Sequence, residues 1–267
     1  MKRVFLTGAS SGIGLATAEV LVRRGHEVWG TSRNTGRIPQ LPHLHAVRLD
    51  LSDRSSIDLA FNAALAEAGH FDVLINNAGG GHFGPAEFLS DKILEEQFQV
   101  LVFSHLRLMQ LALGSMRPRD QGLIINVTSL ASRLPLPFMA GYSAAKAAMA
   151  AFTMSIQLEL GNSGIHIVDL QPADICTDFN NSVSKTSISD SAYEQKMAKT
   201  WEISEGNMRN APKPDLVARE ILRLIDQKNP PPRVTVGDMF QSKIAPLIFR
   251  FLPQRVRNWG LRNYYRI

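Results

Sequence analysis

Three residues of this 267-residue chain have the types and spacing for proton transfer: Ser129, Tyr142 and Lys146. Tyr142 and Lys146 stand four apart in an Ala-rich run with helical character, so both side chains project from one face with Cβ atoms about 5–6 Å apart. A phenol with a pKa of about 10 exchanges protons poorly at neutral pH, and a neighbouring ammonium stabilises the phenolate and draws that pKa down. A Ser hydroxyl at the end of the preceding strand can hold a carbonyl or alcohol oxygen beside the phenol. Such a trio suits proton transfer to an oxygen whose carbon gains or loses a hydride. Tyr-x-x-x-Lys by itself recurs on solvated helix faces, so its meaning depends on what stands upstream.

Upstream, residues 3–7 read as a short apolar strand running into Gly8-Ala9-Ser10-Ser11-Gly12-Ile13-Gly14, and an amphipathic helix over 15–24 follows, closed by Gly25. Strand, glycine turn and helix start make a phosphate cradle: the glycines permit a tight turn and close backbone approach, and the helix start offers free N–H groups to an anion. A second strand over 27–31 ends in Thr31-Ser32-Arg33-Asn34. In a nucleotide-binding unit that end faces the adenosine ribose, where an acid accepts the 2′-hydroxyl and an Arg pairs with a 2′-phosphate. Here an Arg stands and no acid does, which favours NADP(H) over NAD(H); the alternative is that Arg33 is a solvated loop residue.

The pattern continues with a strand over 45–49 ending at Asp50-Leu51, a helix over 55–68, and a strand over 72–75 opening into Asn76-Asn77-Ala78-Gly79. A long helical stretch over 91–116 precedes a strand over 123–127, the Tyr142 helix to about 160, and a strand over 165–170 that ends Gln171-Pro172-Ala173-Asp174-Ile175-Cys176-Thr177. A last strand spans 233–236. Strands alternating with helices through short Gly/Pro-marked connections predict an α/β fold, a parallel sheet covered by helices on both faces. Every motif falls at the carboxyl end of a strand, where such sheets bind ligands.

Thr7-Gly8-x-x-x-Gly12-x-Gly14, Asn76-Asn77-Ala78-Gly79, Ser129 and Tyr142-x-x-x-Lys146, in this order and spacing, resemble the short-chain dehydrogenase/reductase family over residues 3–240. The resemblance implies a single-domain Rossmann-type, doubly wound sheet of about seven strands. It implies Tyr142 as general acid/base, Lys146 binding the nicotinamide ribose and lowering the Tyr142 pKa, and Ser129 orienting the substrate oxygen. It places the cofactor phosphates over Ser10, Ser11 and Ile13 among the glycines, the adenine on Asp50 and Leu51, and Asn77 with Ala78 and Gly79 on the cofactor-facing turn. Pro172 and Thr177 occupy the family's Pro-Gly-x-x-x-Thr segment, with Thr177 on the carboxamide. Family members are commonly homodimers or homotetramers built through the two long helices.

Two positions depart from the family. Counting back from Ser129, the Asn that usually kinks the long helix and holds a water linked to the Lys is Leu101, whose side chain forms no hydrogen bond. His105, one turn on, is either a substitute or an interface or core-edge residue. Ala173 stands where the family has Gly. Leu101 supports a reading from another class, an NADP(H)-binding sensor or scaffold with little turnover; the intact Ser129, Tyr142 and Lys146 support an enzyme, with cofactor-dependent epimerisation or dehydration a further variant.

Residues 179–212 resemble the family's variable lid, with a helix over 189–204 carrying Tyr193, Met197 and Trp201. With Phe83, Leu134, Leu136, Phe138 and Met139 these offer an apolar wall or ordinary core. Gly84-Pro85 and Arg133-Leu-Pro-Leu-Pro-Phe138 are similar to the branch acting on steroids, retinoids and other bulky lipid-like substrates, which points to a hydrophobic ketone or aldehyde. His82 reads as a loop residue facing water, with contact to a polar end of the substrate as the alternative.

Of the 29 Lys and Arg, six lie in residues 239–267, which hold no Asp or Glu, leaving 23 basic against 24 acidic residues elsewhere. The net charge of +5 thus belongs to a basic, apolar extension from 241 to 267 rather than to the body, which argues against nucleic-acid binding. Aromatic and aliphatic residues interleaved with Arg there either lie on an acidic membrane surface or form a helix covering the pocket or a partner subunit. A single cysteine, Cys176, excludes an internal disulfide or a Cys-based metal site, and no metal is expected. The chain's start runs directly into a strand, leaving no room for a signal peptide, and no apolar run reaches the about 18 residues needed to span a bilayer; a cytoplasmic address follows.

Overall fold

The computed structural model describes residues 1–187 and 191–267. In chain order it contains β1 (Arg3–Leu6), α1 (Gly12–Arg23), β2 (Glu27–Ser32), β3 (Leu44–Arg48), α2 (Arg54–Ala68), β4 (Val73–Asn76) and β5 (Gly81–Phe83). There follow α3 (Asp91–Phe98), α4 (Ser104–Met116), β6 (Gly122–Val127), α5 (Ala140–Leu160), β7 (Ile165–Pro172) and β8 (Val183–Lys185). The last elements are α6 (Ser191–Asn210), α7 (Asp215–Asp226), β9 (Arg233–Val236), α8 (Ala245–Phe251) and α9 (Gln254–Tyr265).

Successive side chains of a strand point to opposite faces. In β1, Val4 and Leu6 therefore join one apolar layer and Phe5 the other; β4 divides Val73 and Ile75 from Leu74, and β6 divides Leu123, Ile125 and Val127 from Ile124. Both sets being apolar, the sheet must be covered twice. Helices α1 and α7 cover the first face through Ala18, Leu21, Val217 and Ile221, and α2, α4 and α5 the second through Ile57, Phe61, Leu108, Met109 and Met149. The strands pair in parallel in the order β3-β2-β1-β4-β6-β7-β9, a single doubly wound Rossmann-type sheet of seven strands. The order reverses between β1 and β4, which opens a crevice at their carboxyl ends.

Three features differ from the sequence expectation. The helical stretch over 91–116 is not uniform: between α3 and α4, Gln99–Phe103 widens into a π-helical turn holding Leu101. The widening occurs with no Asn present, and Ser104 Oγ donates to the carbonyl of Val100 at 2.7 Å. Second, β5 and β8 form a separate parallel pair that ties the loop after β4 to the start of the lid. Third, the lid helix is longer than expected and runs to Asn210; its expected start at Ser189 lies outside the described residues. Among the described residues no helix is long and apolar enough to cross a membrane.

Candidate active site

The loop after β1 is shaped by two left-handed glycines, Gly8 (φ +76°) and Gly12 (φ +54°). Gly14 is needed for space, because a Cβ there would lie 2.0 Å from the Gly8 carbonyl oxygen. No side chain caps the start of α1 and no acid stands in its first turn, so the helix presents its N–H groups and positive dipole end to the crevice. Thr7 braces this loop to the next strand end: its Oγ1 accepts the N–H groups of Asn77 (2.8 Å) and Ala78 (3.0 Å), and Asn77 Nδ2 donates to the Thr7 carbonyl at 2.9 Å. Backbone and side chains thus form a concave, donor-rich surface that fits a dinucleotide pyrophosphate.

This surface is one end of a cleft of about 1120 Å³. Ser10, Ser11, Ile13, Arg33, Asp50 and Leu51 line that end, and Gly79, Pro172 and Thr177 line the middle. Arg33 and Arg37 are both exposed at the rim, and Ser32 Oγ donates to Ser10 Oγ at 3.2 Å between them and the cradle. Asp50 accepts two hydrogen bonds from Ser52, which with the nearby positive charge of Arg33 hold its carboxyl below the ordinary range. It is therefore an anion able to accept from a base or sugar hydroxyl.

The other end gathers Ser129, Tyr142 and Lys146, residues that β6 and α5 deliver to the same wall. The Ser129 side chain stands close enough to the Tyr142 hydroxyl to lower its pKa, and its Oγ accepts the Ala131 N–H at 3.0 Å. Lys146 Nζ lies 5.8 Å from the Tyr142 ring centroid and donates to the Val127 carbonyl at 2.9 Å. The expected depression of the Tyr142 pKa by Lys146 is not what the chain itself produces. Burial pushes the phenol up to about 12, helped by the negative charge of Asp174 and opposed by the Ser129 side chain. Burial also draws Lys146 down to about 8, against the pull of Asp169. At neutral pH the phenol holds its proton.

Leu101 is 1% exposed and lies under the loop after β4, where a Cβ on Gly79 would meet it at 2.9 Å. His105 is fully buried in α4 and desolvation lowers its pKa to about 3, so it is a neutral core residue whose Nε2 lacks a partner among the described residues. The methyl of Ala173 is accommodated because residue 237 is Gly: a Cβ there would stand 2.6 Å from Ala173 Cβ. His82 does not face water, as the sequence suggested. It is 5% exposed in β5 and bonds Ser184 Oγ (2.8 Å) and Thr186 Oγ1 (2.7 Å), because the β5–β8 pair folds the lid over it.

Phe83, Leu136, Met139 and Trp201 line the cleft as an apolar wall; Phe138 stands behind, its ring 5.7 Å from Phe83 and 6.4 Å from Tyr193. Among the lining residues that the sequence reading did not single out are Arg37, Phe179 with its ring 5.6 Å from Tyr142, Asp174, and Tyr265 from α9. Arg37, four after Arg33, could have been read from the sequence; nothing local marks Asp174 or Tyr265 as cleft residues. Among the described residues no group of three or more His, Cys, Asp or Glu is placed to hold a metal.

Residues 2–188 match the family model described as short chain dehydrogenase. The chain is 31% identical to the 3-ketodihydrosphingosine reductase of Bacteroides thetaiotaomicron, covering 99% of this chain and 98% of that protein. It is also 31% identical to the probable short-chain type dehydrogenase/reductase VdlC of Helicobacter pylori, over 93% of this chain and 92% of that one. The crystal structure of a short-chain dehydrogenase from Streptomyces avermitilis, 28% identical, superposes with a TM-score of 0.84 over 99% of this chain and 96% of its own. Sheet order, glycine cradle and these likenesses agree, and the chain belongs to the short-chain dehydrogenase/reductase family of oxidoreductases.

Proposed function

We propose that the protein is an NADP(H)-dependent oxidoreductase that reduces a hydrophobic ketone or aldehyde to its alcohol, or runs the reverse oxidation. One observation carries the reading: Tyr142, with Ser129 and Lys146 on the same wall, lines a cleft that also holds the anion cradle of the Gly8–Ile13 loop. Nicotinamide bound between them supplies hydride chemistry at the substrate carbon. Tyr142, protonated at neutral pH with its pKa at about 12, donates its proton to the carbonyl oxygen, and Ser129 donates a hydrogen bond to the same oxygen as negative charge grows there. Lys146 offsets the charge left on the phenolate. At neutral pH the phenol is in the protonated form that the reduction direction uses.

Arg33 and Arg37 at the rim, with no acid at the end of β2, support a 2′-phosphate and hence NADPH. Asp50 and Leu51 would hold the adenine and Thr177 the carboxamide. The Phe83–Leu136–Met139–Trp201 wall supports a lipid-like substrate, as does the lipid ketone named for the Bacteroides relative. Exposed Phe103, Met154 and Leu158 on the outer faces of the π turn and α5 support a homo-oligomer built there. In the 241–267 extension Leu247, Ile248, Phe251 and Trp259 are exposed among Arg residues, which supports peripheral contact with an anionic membrane.

The test is NADPH oxidation, beside NADH, over long-chain ketones and aldehydes, with Tyr142→Phe and Arg33→Ala as variants. Tyr142→Phe is expected to lose about 100- to 10,000-fold in kcat. Arg33→Ala is expected to raise KM for NADPH and leave NADH untouched. Turnover unchanged in Tyr142→Phe would overturn the assignment.

A further inference from the structure

Asp174 is a carboxylate in the reaction cleft that neither the glycine cradle nor the Ser129–Tyr142–Lys146 group employs. It lines the same cleft as Tyr142 and the apolar wall, and its negative charge is felt at the Tyr142 hydroxyl. Its orientation is fixed from outside the sheet. Gln241, just beyond β9, donates from Nε2 to Asp174 Oδ2 at 2.6 Å and accepts the Asp174 N–H through Oε1 at 3.2 Å. The second carboxylate oxygen, Oδ1, accepts no hydrogen bond among the described residues, and no Lys, Arg or His among them pairs with Asp174.

The surroundings make an unpaired anion here expensive. The charged neighbour that acts on Asp174 is another carboxylate, Asp238, whose Oδ1 is already occupied by the N–H groups of Phe240 and Gln241. The phenols of Tyr264 and Tyr265 stand nearby and are shifted up by burial first and by the Asp174 charge second. Burial and Asp238 both raise the Asp174 pKa, against the Gln241 hydrogen bond. A partly buried carboxylate clamped in place, one oxygen free and no cation supplied by the protein, is the arrangement a cationic ligand completes.

We propose that Asp174 recognises a protonated amine on the substrate, so that this cleft takes an amino-ketone with its ammonium near the carbonyl and its hydrocarbon along the Phe83–Leu136–Met139–Trp201 wall. The proposal rests on the carbonyl-reductase reading for the ketone but not for the amine. Hydride delivery and protonation by Tyr142 are unchanged; the ammonium is bound and not transformed. A charge-assisted hydrogen bond to Asp174 Oδ1 favours the amine over an uncharged analogue by about 10- to 100-fold. Gln241 makes the C-terminal extension part of the specificity site, since it aims the carboxylate.

Two measurements separate the amine from the reaction. The first is binding to the full-length protein with NADP⁺, read by tryptophan fluorescence, with decylamine and decanol as probes. Decylamine is expected to bind about 10- to 100-fold more tightly, and Asp174→Asn, which can still accept from Gln241, to erase the preference. Equal affinities in the unmodified protein, a comparison that needs no variant, would overturn the proposal, as would a preference retained in Asp174→Asn. The second is NADPH oxidation with a long-chain α-amino-ketone and its N-acetyl derivative. The free amine is expected to have the lower KM at similar kcat, and Asp174→Asn to raise KM for the amine alone; equal losses on both substrates would mark Asp174 as structural and sink the idea. An amine preference in binding without turnover on any ketone would leave the amine site standing and remove the reductase reading.

Discussion

Replacing Lys146 by Met should abolish turnover and, at neutral pH, cost the fold little or even stabilise it. Burial draws the Lys146 pKa from its ordinary 10.5 to about 8, which at about 1.36 kcal/mol per pKa unit corresponds to about 3 kcal/mol of strain in holding the charge at pH 7. Against that gain, Met leaves the Val127 carbonyl without its 2.9 Å donor, a loss of about 1–3 kcal/mol. The two nearly cancel at pH 7, but only one depends on pH. Between pH 8 and 10.5 the unfolded chain binds more protons at this lysine than the folded one does, so stability of the unmodified protein rises with pH there. Below pH 8 both states are protonated and the cost is fully present. Integrated from pH 7 to pH 9.5, the unmodified protein should gain about 2 kcal/mol on Lys146→Met. Tyr142, held near 12 when folded, releases its proton first in the unfolded chain and destabilises only above about pH 10. Urea unfolding of both proteins across that range gives the difference directly. A difference constant to within about 0.5 kcal/mol would refute the desolvated lysine.

Gly14→Ala sets a methyl 2.0 Å from the Gly8 carbonyl and should weaken NADPH binding by about 100-fold or more in a fluorescence titration; unchanged affinity would mean the cradle is not the phosphate site. His82→Ala removes two buried hydrogen bonds and should loosen residues 183–187 by about 1–3 kcal/mol, read by amide exchange. Burial lowers the His82 pKa, so the unmodified lid should lose protection as pH falls through about 6.5 while the variant shows no such dependence. Removing residues 241–267 should abolish sedimentation with anionic liposomes, and undiminished binding would exclude the extension as the membrane contact.

The strands and the glycine cradle were legible because their causes are local. A continuous apolar run such as Val4-Phe5-Leu6 declares a strand buried on both faces, and only glycine fits at the left-handed Gly8 and Gly12 and in the crowded space of Gly14. Ser129, Tyr142 and Lys146 were legible by spacing, while the direction of the Tyr142 pKa was not, since it depends on how completely the wall excludes water. The β5–β8 pair escaped notice because three-residue strands carry almost no pattern and their partners lie about 100 residues apart, as His82 and Ser184 do. Asp174 and Tyr265 become cleft residues only when β7 and α9 are brought together by the tail, a contact no window of sequence contains. The π turn at Leu101 has no sequence mark either, because the family's usual Asn is missing where the helix nonetheless widens.

The fit of Ala173 against Gly237 also constrains the order in which this sequence could have been reached. With Ala at 173, a methyl at 237 would stand 2.6 Å away, inside any real contact between such carbons. A lineage that began with glycine at 173 was free to vary at 237; once it acquired Ala173, that freedom was gone. The two positions, 64 apart in the chain, are therefore epistatic, and only a double replacement restores a side chain at 237. In a library that varies both sites, side chains at 237 should be recovered where position 173 carries glycine and depleted where it keeps Ala173.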